Sequence, residues 1–128
     1  MASRRRNTIL AGLDYLRSSH PEITLFQVIS FLYICENEGL SIAELAEIIG
    51  TTRATASRNA RSLTAADHDG TIAPSLGLVE IRQNEFDGRG RVLGLSPRGV
   101  VAREHLERLI ALSTPISDGT GKASDGQN

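Results

Sequence analysis

The sequence predicts a mainly α-helical domain that carries one small β-hairpin. Apolar residues recur at helical spacing over most of the 128 residues. Capping and helix-ending residues divide this pattern into five segments, and one turn-rich stretch is flanked by two short β-prone runs. A chain of this length holds one compact core. With 40% hydrophobic and 23% charged residues, it has enough apolar side chains to bury that core.

The first two predicted helices precede residue 40. Asn7 to Ser19 has apolar residues three and four positions apart, and His20-Pro21 ends the helix because the residue before a proline avoids the α region. Thr24 caps a second helix that runs to Glu38, where Gly39 takes the left-handed conformation. Apolar side chains lie nearly all round this second helix, which predicts a central, buried helix. One of its faces carries Leu25, Val28, Ile29, Leu32 and Cys35.

The third and fourth helices are short and close together. Ser41 and Glu44 have the spacing of a capping box at the start of a helix that reaches Ile49, and Gly50 ends it. Thr51 or Thr52 caps the fourth helix. At 100° per residue its two sides differ: one is small and apolar, and the other is polar and basic. The apolar side holds Ala56, Ala60 and Leu63, and the other holds Ala54, Ser57, Arg58 and Arg61.

A hairpin and a last helix complete the predicted fold. Thr64 to Gly77 is rich in loop-forming residues. Leu78 to Arg82 and Arg91 to Leu95 are predicted strands, and Asn84 to Gly90 forms the turn between them. Ser96-Pro97 starts the last helix, with proline at its first position, and that helix ends near Leu112. Residues 113–128 have almost nothing to bury and are predicted to be a disordered tail.

The order of elements and the layout of charge indicate a winged helix-turn-helix that binds duplex DNA. The third and fourth helices are joined by a short turn, and the hairpin that follows is the wing. The net charge is only −1, yet Glu36 to Glu47 has four acids and no base, whereas Gly50 to Ala66 has three arginines and no acid. Only the second stretch is suited to phosphate. The fourth helix is therefore predicted to enter a major groove.

Five short motifs strengthen this interpretation. They are Ser41-Ile42-Ala43-Glu44-Leu45-Ala46 leading to Gly50, Thr52-Arg53-Ala54-Thr55-Ala56-Ser57-Arg58, Gly77-Leu78-Val79-Glu80, Asp87-Gly88-Arg89, and Leu93-Gly94-Leu95-Ser96-Pro97-Arg98-Gly99. Together they resemble the MarR-type winged helix-turn-helix transcription regulators from about Ile23 to Glu104. The resemblance implies a homodimer that binds double-stranded DNA at a pseudo-palindromic site and regulates transcription.

The candidate DNA-binding residues come from the fourth helix and the wing. Those on or beside the helix are Thr52, Arg53, Thr55, Ser57, Arg58 and Arg61. By angle Arg53 lies nearer the core side, but its long side chain reaches outward from the first turn. The resemblance implies that Arg89 at the wing tip enters the minor groove and that Asp87 steadies it, with Arg91 contacting phosphate. Arg4-Arg5-Arg6 is either a solvated terminus or an arm that tracks the minor groove.

Two departures from the family pattern affect the predicted organisation. Thirteen residues separate Leu63 from Gly77, where the family has about three, so an extra loop of roughly ten residues precedes the wing. The last helix is also short beside the family's pair of C-terminal dimerisation helices. We predict an N-terminal dimerisation helix over 1–20, a DNA-binding domain over 21–96, a C-terminal dimerisation helix over 97–112 and a tail over 113–128.

Other functions are less well supported. A winged-helix adaptor for protein contact is one alternative, favoured by the overall acidity, and a replication or partition DNA-binding protein is another. No nucleophile, metal-ligand or cofactor motif is present, so no enzyme activity, metal or cofactor is predicted. Cys35 continues an apolar stripe and is expected to be a buried, unreactive thiol. No membrane association is expected and the protein is predicted to be cytoplasmic; no residue supports a small-molecule effector.

Overall fold

Five helices and a two-stranded sheet make up the computed structural model, which describes residues 5–83 and 90–117. The elements are α1 (Thr8–Ser19), α2 (Leu25–Glu36), α3 (Ile42–Ile49), α4 (Arg53–Ser62), β1 (Val79–Gln83), β2 (Arg91–Leu95) and α5 (Pro97–Leu112). The predicted fold class, mainly α with a β-hairpin wing, is confirmed. The second helix ends two residues earlier than expected, at Glu36. No helix in the described residues is long and apolar enough to cross a bilayer.

Side-chain caps fix where each helix begins. Asn7, Thr24, Ser41, Thr52 and Ser96 each accept a hydrogen bond from a backbone N–H in the first turn of the helix that follows. The predicted capping box of Ser41 with Glu44 is present, and Thr24 forms a second one with Gln27. Of the two candidate caps for α4, Thr52 is the one used. At the other end of α3, Gly50 has a φ of 82°, which a residue with a side chain rarely adopts.

The wing is an antiparallel hairpin anchored at its base to the helices. Val79 lies opposite Leu95, and Gln83 lies opposite Arg91. Ser41 pairs with Val92 in an isolated bridge, so the start of α3 lies against the wing. The turn between the strands, residues 84–89, lies outside the described residues, and the candidates Asp87 and Arg89 lie within it.

The core lies between α2, α4, the hairpin and α5. Phe31 and Ile34 of α2 are fully buried against Leu45, Leu63 and Leu93. The predicted underside of α4 is confirmed, since its two alanines at positions 56 and 60 are also fully buried. The start of α5 lies so close to β1 that a Cβ at Gly99 would be 2.0 Å from the carbonyl oxygen of Leu78. Only glycine fits there.

The prediction that α2 is a central, buried helix is wrong for one of its sides. Leu25, Ile29 and Leu32 are 66%, 38% and 40% exposed, and Tyr33 on the same helix is also exposed. The buried residues of α2 are Gln27, Val28, Ser30, Phe31 and Ile34. The reason is that α2 packs mainly on α3, α4 and β2 through these buried residues. Of the exposed residues of α2, Leu32 lines a groove between α1, α2 and α5.

The extra loop, residues 64–76, is hydrogen-bonded to both the fourth helix and the wing. Thr64 pairs with Val79 in a parallel bridge. The carbonyl oxygen of Arg61 accepts hydrogen bonds from Thr71 Oγ1 at 3.2 Å and from the N–H of Ile72 at 3.4 Å. The loop therefore covers the C-terminal end of α4 and connects it to β1.

The basic N-terminal segment contacts the other end of the chain. The Arg5 guanidinium donates to the carbonyl oxygens of Pro115 and Ile116 at 2.7 and 2.8 Å. The N–H of Thr8 donates to the carbonyl oxygen of Thr114 at 2.9 Å, at the beginning of the predicted tail. These contacts hold Arg5 beside the end of α5 instead of leaving it free as an arm. Arg4 and residues 118–128 lie outside the described residues.

Candidate nucleic-acid interface

The exposed side of α4 is a basic ridge. Arg53 and Arg58 are both exposed, and Thr52 lies exposed at the N-cap. The Oγ1 of Thr52 accepts from the N–H of Thr55 and donates to Thr55 Oγ1, each at 3.1 Å. Thr55 and Ser57 are half-buried along the same helix. The exposed side of α4 thus presents hydroxyl groups, two guanidinium groups and the first-turn N–H groups that the Thr52 cap does not bind.

Among residues 5–83 and 90–117, no acidic side chain forms an ion pair with this ridge. Helix α4 contains no carboxylate. Among the residues that the structure describes, the ion pairs join Arg6 to Asp14, Arg82 to Glu80 and Arg103 to Glu38. The side chains of Arg53 and Arg58 make no hydrogen bond or ion pair in that part of the chain. Their N–H donors are therefore free for a ligand with acceptor groups, such as phosphate or a guanine edge.

Arg61, predicted on the polar and basic side of α4, is less exposed than Arg58. Its side chain is only partly exposed, and its Nε is buried without a hydrogen-bond partner in the described residues. The Cδ of Arg61 lies beside Gly70, where an added Cβ would be 3.9 Å away. The loop at residues 64–76 causes this difference, because it folds over the last turn of α4. Arg61 therefore lies at the edge of the basic ridge, whereas Arg53 and Arg58 are fully on its exposed side.

The wing contributes one predicted site residue to the described part of the structure. Arg91 is exposed at the start of β2. Arg82 on the neighbouring strand is engaged within the protein, since it pairs with Glu80 at 3.2 Å and lies directly over Gly94. A Cβ at Gly94 would be 2.6 Å from the Nη2 of Arg82. Arg91 therefore remains the wing arginine available for a ligand among residues 79–83 and 91–95.

A buried polar layer between α2 and α4 escaped prediction from the sequence. Gln27 Nε2 donates to Ser62 Oγ at 2.9 Å, and Asn59 Nδ2 donates to Ser30 Oγ. All four residues are buried. Gln27 and Ser30 are three residues apart in α2, and Asn59 and Ser62 are three residues apart in α4. This spacing places the two polar residues of each helix on one face, and it is the signal that the sequence contains. The layer holds α4 to the centre of the domain.

An apolar groove lies on the side away from this layer. It encloses about 220 Å³ between α1, α2 and α5. Apolar residues on all three helices remain exposed around it, including Ile9, Leu10, Leu13, Leu32 and Ile110. The lining residues are Thr8, Ile9, Gly12, Leu13, Leu16, Val28, Leu32, Leu106, Leu109 and Ile110. An exposed apolar surface of this kind is typical of a protein interface.

Two ionisable side chains, Cys35 of α2 and His20 at the end of α1, have shifted pKa values. Burial raises the pKa of the Cys35 thiol to about 12, and nearby glutamates add to the rise while Arg103 opposes it. The thiol is thus protonated at neutral pH, which fits the expectation of an unreactive cysteine. Burial lowers the pKa of His20, and the positive charge of Arg98 lowers it further. No cluster of three or more potential metal ligands occurs in residues 5–83 and 90–117.

Comparison with known proteins places this geometry in a structural class. Neither a protein-family model nor a curated protein sequence matches the chain. The fold is that of a winged helix-turn-helix protein, and solved structures share it. FabT of Streptococcus pneumoniae in complex with DNA has a TM-score of 0.61 and 18% identity, covering 94% of this chain and 73% of that one.

Two further structures show the same arrangement. MepR of S. aureus in a DNA complex has a TM-score of 0.60 and 20% identity, covering 81% of this chain and 77% of that one. Wild-type MarR of E. coli in its apo form has a TM-score of 0.56 and 17% identity, covering 94% of this chain and 80% of that one. The chain has the MarR-type winged-helix fold, and the predicted resemblance is confirmed at the level of the fold.

Proposed function

We propose that the protein is a transcription regulator that binds double-stranded DNA sequence-specifically, as a homodimer on a pseudo-palindromic site. The observation that carries this proposal is the pair of exposed guanidinium groups of Arg53 and Arg58, which have no partner in the part of the chain that the structure describes and lie on a helix without carboxylates. The opposite face of that helix is buried, so the basic ridge is held outward. The DNA complexes of FabT and MepR, which share the fold, add support.

In the proposed complex α4 lies in the major groove. Arg58 makes a bidentate contact with a guanine edge, and such a contact contributes about 1–3 kcal/mol of base discrimination. Thr52, Thr55 and Ser57 supply short hydroxyl groups near the bases or the backbone. The first turn of α4, together with Arg53, receives a phosphate at the N–H groups of the helix end. Arg61, at the edge of the ridge, contributes through its partly exposed guanidinium.

The wing contacts the neighbouring part of the duplex. Arg91 contacts a phosphate, and such contacts add affinity that decreases with salt and is independent of sequence. Following the sequence resemblance, Arg89 is proposed to enter the minor groove with Asp87 steadying it. The narrow minor groove of A·T-rich DNA attracts arginine, so this contact favours A·T-rich flanking sequence.

A second copy of the chain is the proposed occupant of the apolar groove. The groove is lined by apolar side chains with Thr8 at its rim, and exposed leucine and isoleucine residues of α1, α2 and α5 continue its surface. Burial of this surface against its own copy removes it from water and contributes roughly 25 cal/mol per Å². A two-fold axis there sets two α4 helices about 34–36 Å apart, one turn of the duplex.

Selection of duplexes from a random pool tests the proposal. The expected result is enrichment of an inverted repeat, a complex containing two chains, and affinity that falls steeply with salt. Little affinity for any duplex, with no salt dependence, would overturn the proposal and favour the protein-adaptor alternative. Binding to a single half-site as a monomer would overturn the homodimer alone.

A further inference from the structure

The underside of α4 is smooth along its middle, and Leu63 at the C-cap is its one large buried side chain. Ala56 and Ala60 are its central buried residues, and a methyl group offers little that interlocks. Apolar burial is also non-directional, so small rotations about the helix axis change it little. Rotation by one residue, 100°, would place Arg58 where Asn59 now lies. Directional contacts therefore add to this apolar packing in fixing the direction of Arg58.

The polar layer supplies that direction through two rungs of hydrogen bonds. Asn59 Nδ2 donates to Ser30 Oγ, and Gln27 Nε2 donates to Ser62 Oγ at 2.9 Å. Ser62 Oγ in turn donates to the carbonyl oxygen of Asn59 at 2.6 Å, which joins the two rungs. Hydrogen bonds weaken steeply when they are misaligned. Rotation of α4 would break both rungs and leave buried polar groups without partners.

The layer is itself held on the α2 side by the helix cap. Gln27 Oε1 accepts from the N–H of Thr24 at 2.8 Å, so the amide of Gln27 is fixed at one end and donates to α4 at the other. Gln27 is 6% exposed and Asn59 is 8% exposed. Neither side chain can reach a ligand on the basic ridge. Their role is therefore separate from contact with DNA.

We propose that Asn59 and Ser62, held by Ser30 and Gln27, are positioning residues for base recognition. They fix the rotation of α4 about its axis and so direct Arg58 at the base edges. This inference rests on the proposed function, because base discrimination is the property that the layer controls. Buried polar groups that specify one arrangement at little gain in stability are known from helical interfaces.

The test replaces one rung with apolar groups of similar total volume, in the double variant Asn59→Leu/Ser30→Ala. Removal of both partners avoids an orphaned polar group, so the variant is expected to fold with a similar Tm. The ratio of its affinities for the selected and a random duplex is expected to fall about tenfold, with an unchanged salt slope, because phosphate contacts tolerate small rotations. A folded variant with discrimination within twofold of the parent would overturn the proposal.

Ile34→Val is the matched control, since Ile34 is a fully buried residue of α2 outside the polar layer. It lowers stability by loss of a methylene and is expected to keep the discrimination of the parent. An equal loss of discrimination in this control would overturn the proposal, because the effect would then follow stability alone. If the double variant fails to fold, Ser62→Ala removes the acceptor of the Gln27 rung and leaves Gln27 Nε2 without that partner; its discrimination is then compared with that of Ile34→Val at equal loss of stability.

A second measurement separates this proposal from the proposed function. Residual dipolar couplings of the backbone N–H groups report the orientation and order of α4 relative to α2 without DNA. The couplings of α4 are expected to decrease in the double variant while those of α2 remain. Unchanged couplings in α4 would overturn the positioning role, even for a protein that binds no duplex. Reduced couplings in a chain without duplex preference would sustain the positioning of α4 and overturn only the proposed function.

Discussion

His68 accepts a hydrogen bond at its Nε2 from the backbone N–H of Ile81, 3.2 Å away, and this contact attaches the loop at residues 64–76 to the outer edge of the wing. The Nδ1 of the same ring is 2.8 Å from the carbonyl oxygen of Asp69. The neutral ring with its proton on Nδ1 satisfies both contacts. The loop therefore links the end of α4, through Arg61, to β1.

We expect His68→Ala to loosen the wing edge. Loss of this hydrogen bond leaves the Ile81 N–H without its partner and lowers the free energy of unfolding by about 1 kcal/mol. Amide hydrogen exchange at Ile81 is expected to accelerate. His105→Ala is the control, since His105 lies on α5 and stacks on Tyr15 of α1 at a ring-centroid distance of 3.8 Å. Unchanged exchange at Ile81 in His68→Ala would show that the contact contributes nothing to wing order.

Arg58→Ala is expected to remove base discrimination at one position of the site. The affinity for the selected duplex at fixed salt falls by about 1–3 kcal/mol, more than the affinity for a random duplex. Arg17→Ala is the matched control. Arg17 is exposed on α1, so this substitution removes the same charge at a site away from the ridge. Titrations of both variants against both duplexes measure the difference. Equal affinities of Arg58→Ala and the parent protein would place the interface elsewhere.

Leu32→Glu is expected to convert the proposed dimer into a monomer. Leu32 is partly exposed in the groove, so a glutamate there remains solvated in a single chain but is buried without a partner in a dimer. Light scattering is expected to give a mass of 13.8 kDa, against twice that mass for the parent. Ala66→Glu, on the exposed loop, is the control with the same charge change. A mass of 13.8 kDa for the parent itself would contradict the homodimer.

Stability is expected to fall on the acid side partly through His20. Burial and the charge of Arg98 lower the pKa of His20 in the folded protein. As pH falls, His20 is therefore protonated at a higher pH in the unfolded chain than in the folded protein. The contribution is absent above the ordinary pKa near 6.5 and becomes destabilising as pH falls below it. His20→Gln is expected to lose less stability than the parent between pH 7 and pH 5. Urea unfolding curves across that range measure this, and parallel pH profiles would exclude the contribution.

The elements were predictable because local residues determine them. Asn7, Ser41 and Ser96 mark helix starts through hydrogen bonds to residues three positions on, and Gly50 ends α3 through its own backbone conformation. The buried side of α4 was also predictable, since the angular spacing of residues on a helix is fixed. The exposure of Arg58 follows from the same spacing.

Three features of the site were not predictable in this way. The exposure of one side of α2 depends on how far α1 and α5 extend beside it. The partial burial of Arg61 depends on where the loop at residues 64–76 folds. The contact of Gln27 with Ser62 joins residues 35 positions apart. No local pattern encodes the partner of a polar residue at that separation.

The sequence by itself determined the helices, the hairpin, the carboxylate-free face of α4 and the likeness to MarR-type proteins, because these depend on spacing and capping within a few residues. The tertiary structure alone decided which arginines remain free, which apolar side of α2 stays exposed, and how α4 is held. Those properties depend on burial and hydrogen bonding between distant segments. Those contacts form only once the chain has folded.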